Sequence, residues 1–563
     1  MPVSALRFEP RVDLQSRNFA EGQADVTIRG GIFENTGFRI GAVSLFDPQT
    51  GHYFAEIPIA PAMLSAPQIL TGAELALATI NATAGAVAYT WRPIRTAGVA
   101  SLGFGEYRLL QAELYQGCVS SLAVGRWAAD VALAHSESDG SIRNGDHNIS
   151  RVNARLQLGL RQCQTDLFFG YQDKVFGWPN LYTPFNSNES EDIRTLLLLL
   201  NHRSNLSGGD YFEVGAYYRR NEDNYAFNRF APVGPVPPFQ HTTWVRGAAT
   251  EARITSEDTT FNVRAEVLAD DLASTSLTFG RFHRRLITKL ALAPERTWGS
   301  ADGSVLRIRA GATYDDTSRT GGTVSPMVQI SRSTTGPNPH RIYAEYSEAS
   351  QVPTYTALNS NQNAGLFRGN PNLSRQISRN AELGISGDLM GWTTQAALFI
   401  RTDRNLVDWT FRKGVTARSA NAVTMETAGV ELVAHRSWKM ADVIVGYTGL
   451  AKNPDYKGAL VDASFYALNY ARHRLTLAIV ARLTGALDFR MDNEVRFQAS
   501  NLLRTTGGDE AVISALGLTY HPASWRRVRL TVQADNLWNS DYQQVPAVPA
   551  ARRQVSVVAG YSW

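Results

Sequence analysis

The chain has 563 residues, and its 55 basic side chains nearly balance its 51 acidic ones, leaving a net charge of +4. No concentrated basic patch accompanies that balance, which excludes nucleic acid as a partner. Charged residues are only 19% of the chain while aromatics are 10% and glycines number 45, a mixture that suits an all-β chain with aromatic girdles. The longest leucine run, Leu196 to Leu200, falls far short of the ~20 apolar residues a membrane-crossing helix needs. Two cysteines, Cys118 and Cys163, are too few for a disulfide framework or a four-thiolate metal site; they are apolar fillers or form one disulfide.

In chain order, the first distinctive stretch runs from Asp25 to Ile94. Short β-prone runs are punctuated by glycine: Asp25 to Gly31, Ile40 to His52 with its Asp47-Pro48 turn, Glu56 to Ile59, Ile69 to Gly72, and Asn81 to Val87. Gly30, Gly31, Gly41, Gly51 and Gly72 suit positive φ and close backbone approach, as a small domain folded against a wall requires. Asp47 and His52 stabilise a turn or touch a ligand, and the turn is the preferred reading.

From about Gly98 the pattern changes to two-residue alternation. Leu487, Phe489, Met491, Val495, Phe497 and Ala499 fall on one face; Asp488, Arg490, Asp492, Glu494, Arg496, Gln498 and Ser500 fall on the other. The same holds for Leu306 to Tyr314, Phe212 to Tyr218 and Val528 to Ala534. The charged face of the 487–500 segment is either a solvated inner wall or an ion-pair lining that holds an inner domain. Connections alternate in length. Tight links lie at Gly159 to Gln162, Gly387 to Gly391, Ser437 to Ala441, Leu483 to Ala486 and Pro522 to Trp525. Long loops lie at 135–148, 174–191, 220–241, 350–376, 404–421, 452–465 and 538–552. Trp438 and Trp525 fall in tight links and Trp392 directly follows one, where an interfacial aromatic belt belongs. About 22 strands fit after residue 97, each with room for the ~9–11 residues of a transmembrane strand plus a connection. A barrel of that size has a lumen too wide for its own side chains to fill.

Ligand contacts are expected from aromatic loop residues: Trp178, Tyr182 and Phe185; Tyr225, Phe227, Phe230 and Phe239; Tyr355 and Phe367. Flat rings offer large contact area with few rotors to freeze. The proline-rich run from Pro232 to Pro238 stiffens one of these loops. Motifs for catalysis are absent: there is no H-E-x-x-H, no G-x-S-x-G and no phosphate-cradling loop. No histidines stand at metal-ligand spacing, so no catalytic residue, metal or cofactor is expected.

The Ile28-Arg29-Gly30-Gly31 step, the Gly41 turn and the closing Gly85-Ala86-Val87 strand resemble, in that order, the plug domain of TonB-dependent outer-membrane receptors. Tyr343 to Tyr355 with Arg368-Gly369-Asn370-Pro371 resembles their mid-barrel region, and Leu530 to Trp538 with Asp541-Tyr542 their penultimate strand. The final Val555 to Trp563, with Tyr561 and Trp563 on one face, resembles the C-terminal signature read by the outer-membrane assembly machinery. The resemblance implies an all-β membrane protein: an antiparallel transmembrane barrel of about 22 strands (98–563) with a small N-terminal plug domain (1–97) in its lumen. It implies uptake of a scarce large nutrient, an iron–siderophore or cobalamin-like ligand, energised by the TonB-ExbB-ExbD complex. Ile28, Arg29, Gly30, Gly31, Gly41, Asp47, Gly51, Gly72 and Gly85 carry the plug motif, and Arg29 is expected to meet carboxylates of the barrel wall. Met1 to Arg7 holds no signal-peptide pattern, so against the family the first half of the plug and the TonB box are expected to be missing. The alternatives are a passive porin, which needs no such plug, and a secreted soluble β-protein, which needs no terminal aromatic strand.

Overall fold

A computed structural model of the chain describes residues 2–18, 21–122, 125–232, 234, 236–279, 282–301, 303–336, 338–415 and 417–563. Val233 and Pro235 of the proline-rich run lie outside them.

The two-residue alternation becomes a closed antiparallel barrel of 22 strands, from Ala97–Gly105 to Gln554–Ser562. Closure joins the last strand to the first, with Ser562 opposite Val99 and Ser556 opposite Gly105. Gly98 and Trp563 seal this seam by exchanging two backbone hydrogen bonds of 3.0 Å. Leu198, Leu290, Leu383, Leu398 and Ile400 point outward and are exposed, while Thr195, Glu266, Lys289, Thr427 and Arg496 point inward and are buried. A barrel that turns leucine out and arginine in presents its apolar face to lipid. Among the described residues no helix is long and apolar enough to cross a membrane.

The tight links all lie at one end and most long connections at the other. Exposed Trp127, Trp298, Trp438, Trp525 and Trp563 lie at the tight-link end. There Trp392 meets Trp438 edge-on at 5.7 Å, and Tyr561 stacks with Trp563 at 5.8 Å. The loop expected at 404–421 is mostly strand: Trp392–Phe411 and Arg418–Ser437, 20 residues each, rise well past the length a bilayer needs. These upper ends are buried on both faces, with Leu406, Val407, Trp409, Ala420 and Val423 packed into one apolar cluster with Phe465 and Leu503 of the loops. The two cysteines are free thiols, Cys118 exposed and Cys163 half-buried.

The N-terminal residues fill the lumen. A hairpin pairs β1 (Val12–Arg17) with β2 (Gln23–Ile28). A second sheet, in the order β4 (Val43–Leu45), β3 (Thr36–Ile40), β6 (Gly85–Tyr89) and β5 (Gln68–Leu70), contains one parallel pair, β3 with β6. Between β5 and β6 the Ala-Glu-Leu-Ala-Leu-Ala run forms α1 (Gly72–Ala78), as its high helix propensity dictates.

The plug packs unevenly. Its core of Phe38, Ile40, Val43, Ile57 and Ile59 continues without a break into Phe168, Leu197, Leu199, Val245, Leu268 and Ile287 of the barrel wall. This contact explains the uninterrupted Leu196–Leu200 run: Leu198 and Leu200 face out while Leu197 and Leu199 meet the plug. The opposite side is open and polar. Two cavities of about 460 and 540 Å³ there share Ser4, Arg7, Gln533 and Asp535 in their walls.

Candidate functional site

The plug is fixed to the wall by buried ion pairs. Arg29 ends β2 at φ 50°, which turns its side chain out of the plug. Its Nη1 and Nη2 donate to Glu382 at 2.5 and 3.1 Å, and its Nε and Nη2 donate to Glu431 at 3.0 and 2.9 Å. The Phe399 ring lies 4.6 Å from the guanidinium carbon. These carboxylates raise the Arg29 pKa against the opposing effect of burial. Asp47 serves turn and anchor together: it accepts from the Gln49 backbone N–H at 3.0 Å and pairs with Arg219 at 2.5 Å. Arg496 pairs with Asp13 of β1 at 3.0 Å, so the charged face of the 487–500 segment grips the plug.

The motif glycines divide into two kinds. Gly30, Gly41 and Gly72 have φ of 65°, 54° and 57°, whereas Gly31, Gly51 and Gly85 do not have positive φ and serve by lacking a Cβ. At Gly72 both demands coincide, since a Cβ there would overlap the Glu345 carboxylate. Ile28 is fully buried in the plug core.

At the plug apex a buried chain of polar groups runs from Arg17 through Asp25 (2.6 Å) to His52 Nδ1 (2.6 Å), and His52 Nε2 faces the Tyr466 hydroxyl at 3.3 Å. The His52 ring stacks on Phe33 at 4.2 Å. Burial lowers the His52 pKa to about 4 although Asp25 opposes the shift. Burial, aided by the charges of Asp25 and Asp408, raises Glu34 to about 8. A short loop helix, α2 (Tyr355–Asn359), docks onto this apex, with the Tyr355 and Thr356 backbone N–H groups donating to Pro48 and Gln49 carbonyls at 2.9 Å.

Above the apex, at the loop end, lies a cavity of about 480 Å³. Gln49, Thr50, His52 and Tyr53 of the plug form its floor. Tyr182, Tyr225, Phe239 and Phe367 line its sides, so the structure gathers these four loop aromatics from distant parts of the sequence. The other five do not line it. Trp178 is buried in the loop packing, donating from Nε1 to the Pro549 carbonyl at 2.9 Å, and Phe227 packs against the same cluster. Tyr355 bonds Asp270 at 2.8 Å and stacks over Arg285, Phe185 is half-buried, and Phe230 is exposed. Sequence reasoning missed Tyr53, Trp409, Arg418, Glu191 and Asp223, all at the cavity. A short parallel pairing of Phe367 and Arg368 with Arg418 and Ser419 sets Phe367 beside Arg418. Among the described residues no group of three or more His, Cys, Asp or Glu could hold a metal ion.

A plug latched inside a large, loop-capped barrel is the architecture of an outer-membrane receptor. The family described as "TonB dependent receptor-like, beta-barrel" matches residues 81–537, and the chain belongs to it. A search of curated proteins finds no match. Solved structures of the same fold include the FrpB iron transporter from Neisseria meningitidis, F3-3 variant (TM-score 0.76, 13% identity, covering 100% of this chain and 96% of that one). Others are the siderophore receptor PirA from Pseudomonas aeruginosa (0.70, 15%, 100% and 96%) and the copper transporter OprC (0.77, 14%, 100% and 98%). The family and these neighbours are receptors and transporters, not enzymes.

Proposed function

We propose that the protein is an outer-membrane receptor that loads a scarce, large nutrient into the chamber above the plug. The TonB-ExbB-ExbD complex then energises passage of the nutrient to the periplasm. The observation that carries this reading is that the plug apex is the chamber floor. A ligand bound there touches the gate itself, so occupancy can alter how the gate is held. The lumen that a porin keeps open is filled here, and the outward leucines suit a bilayer that a soluble β-protein never meets. Trp563 at the seam suits insertion by the outer-membrane assembly machinery. Neighbours named for iron, siderophore and copper favour a metal chelate over a cobalamin-like ligand as cargo.

The test is uptake of a panel of radiolabelled ferric siderophores by Gram-negative cells that lack their own receptors and express this protein. Uptake is expected in tonB-positive cells and its loss in tonB-negative ones; equal uptake in both would sink the energised step. Recovery of the protein in a detergent-free soluble fraction would sink the membrane location.

A further inference from the structure

The chamber holds two poles at each of which buried polar atoms lack a partner. At one, Arg418 is 3% exposed and lines the cavity. Phe465, Phe367, Trp409 and Tyr466 surround its guanidinium carbon at 4.3, 4.9, 5.6 and 5.6 Å. Its side chain makes one long bond, from Nη1 to the Tyr466 hydroxyl at 3.4 Å, and its Nε donates to nothing. Other buried guanidiniums of the lumen, such as Arg29, Arg155, Arg219, Arg264 and Arg285, each close an ion pair with a carboxylate. Arg418 has none among the described residues.

At the other pole Glu191 and Asp223 are each 2% exposed and line the same cavity. Each uses one oxygen: Glu191 Oε1 accepts from the Tyr53 hydroxyl at 2.8 Å, and Asp223 Oδ2 accepts from Gln49 Nε2 at 2.6 Å. Glu191 Oε2 and Asp223 Oδ1 accept no hydrogen bond. Tyr225, Phe239 and Phe367 line the same space with apolar surface. A buried charge without a counter-charge, and a buried acceptor without a donor, are both costly, so each pole favours a ligand that completes it.

We propose that the chamber selects a ligand with an acidic group for Arg418 and a cationic or donor-rich group for Glu191 and Asp223, joined by a flat apolar body. This rests on the cavity being the loading chamber. Arg418 offers fixed donors to a carboxylate or deprotonated hydroxyl, and the aromatic rings around it keep competing water away. The acidic pole rejects a ligand with acid groups at both ends, so the pair of poles sets orientation as well as selectivity.

Four probes of one shape test the proposal by ligand-observed NMR on the full chain in detergent: 4-(aminomethyl)benzoate, 4-methylbenzoate, 4-methylbenzylamine and 4-methylbenzyl alcohol. The two-ended probe is expected to bind at least about tenfold tighter than either single-ended one, as one completed charge pair implies. Arg418→Gln should reduce it to the level of the amine, and the Glu191→Gln/Asp223→Asn double variant to the level of the benzoate. Heat-modifiable gel migration verifies that each variant is a folded barrel. Equal binding of all four probes, or an unchanged preference in Arg418→Gln, overturns the two-pole assignment alone. Binding of none overturns the chamber reading and this inference with it.

Discussion

Arg29 leaves the plug at a φ that few non-glycine residues adopt and meets two carboxylates of the barrel wall. Removing it strands Glu382 and Glu431, each 4% exposed, without their counter-charge. Arg29→Ala is therefore expected to weaken plug docking by about 3–5 kcal/mol, the range for breaking a buried pair from one side. Arg29→Lys should lie between, because an ammonium cannot bridge both carboxylates in the same fork. Hydrogen exchange of residues 23–45 checks this, and unchanged protection in the alanine variant would remove the latch from the account. At the apex, pH acts through two groups of opposite sense. His52, lowered to about 4, contributes docking stability that is full above its ordinary 6.5 and lost as pH falls toward 4. Glu34, raised to about 8, contributes stability that is full below its ordinary 4.5 and lost as pH rises through 8. Between 4.5 and 6.5 the two oppose each other, while from 6.5 to 8 Glu34 alone changes. The apex should loosen over that upper interval, and Glu34→Gln should flatten the response in exchange measured at pH 6.5 and 8.

At the scale of the strand, the facing of each side chain decides its tolerance. Leu398 is 60% exposed on the outer surface of Trp392–Phe411, while its neighbour Phe399 is buried against Arg29. Leu398→Arg is expected to destabilise the barrel by roughly 2–4 kcal/mol, the cost of a basic residue on a lipid face at mid-depth. Equilibrium unfolding from lipid vesicles measures it, and a neutral result would place the bilayer elsewhere. The same strand shows what could be read in advance. Its lower half alternates cleanly because lipid lies on one side and a polar lumen on the other. Its upper half, around Asp408 to Phe411, loses the period because both sides pack against loops, and so resembles a loop. Leu196–Leu200 misleads in the other direction, since the plug gives its inward face an apolar partner. The plug motif was legible because turns and close approaches demand glycine whatever surrounds them. Arg418, Glu191 and Asp223 carry no local signal at all; only the meeting of two paired strand tips with a third from far along the chain brings them to one cavity.

Over the whole molecule, apolar contact holds the plug on one side only, while ion pairs hold it on both, Arg219–Asp47 and Lys174–Glu56 at the apolar wall and the Arg29 and Arg496 pairs elsewhere. The wall from Phe168 to Ile287 shares one continuous core with it, whereas the side of Ser4, Arg7 and Asp535 is cavity and solvent-accessible charge. The first side gives way only if a large greasy surface is wetted at once; the second can yield one bond at a time. In exchange measurements, amides of β1 should open before those of β3 and β4, and equal rates would deny any such order. A pull from the periplasm thus meets a door rather than a cork. The apolar wall is its hinge jamb, the Arg496–Asp13 and Arg29 pairs are its bolts, and the first gap opens along the polar side, directly beneath the loop that ends at the last strand.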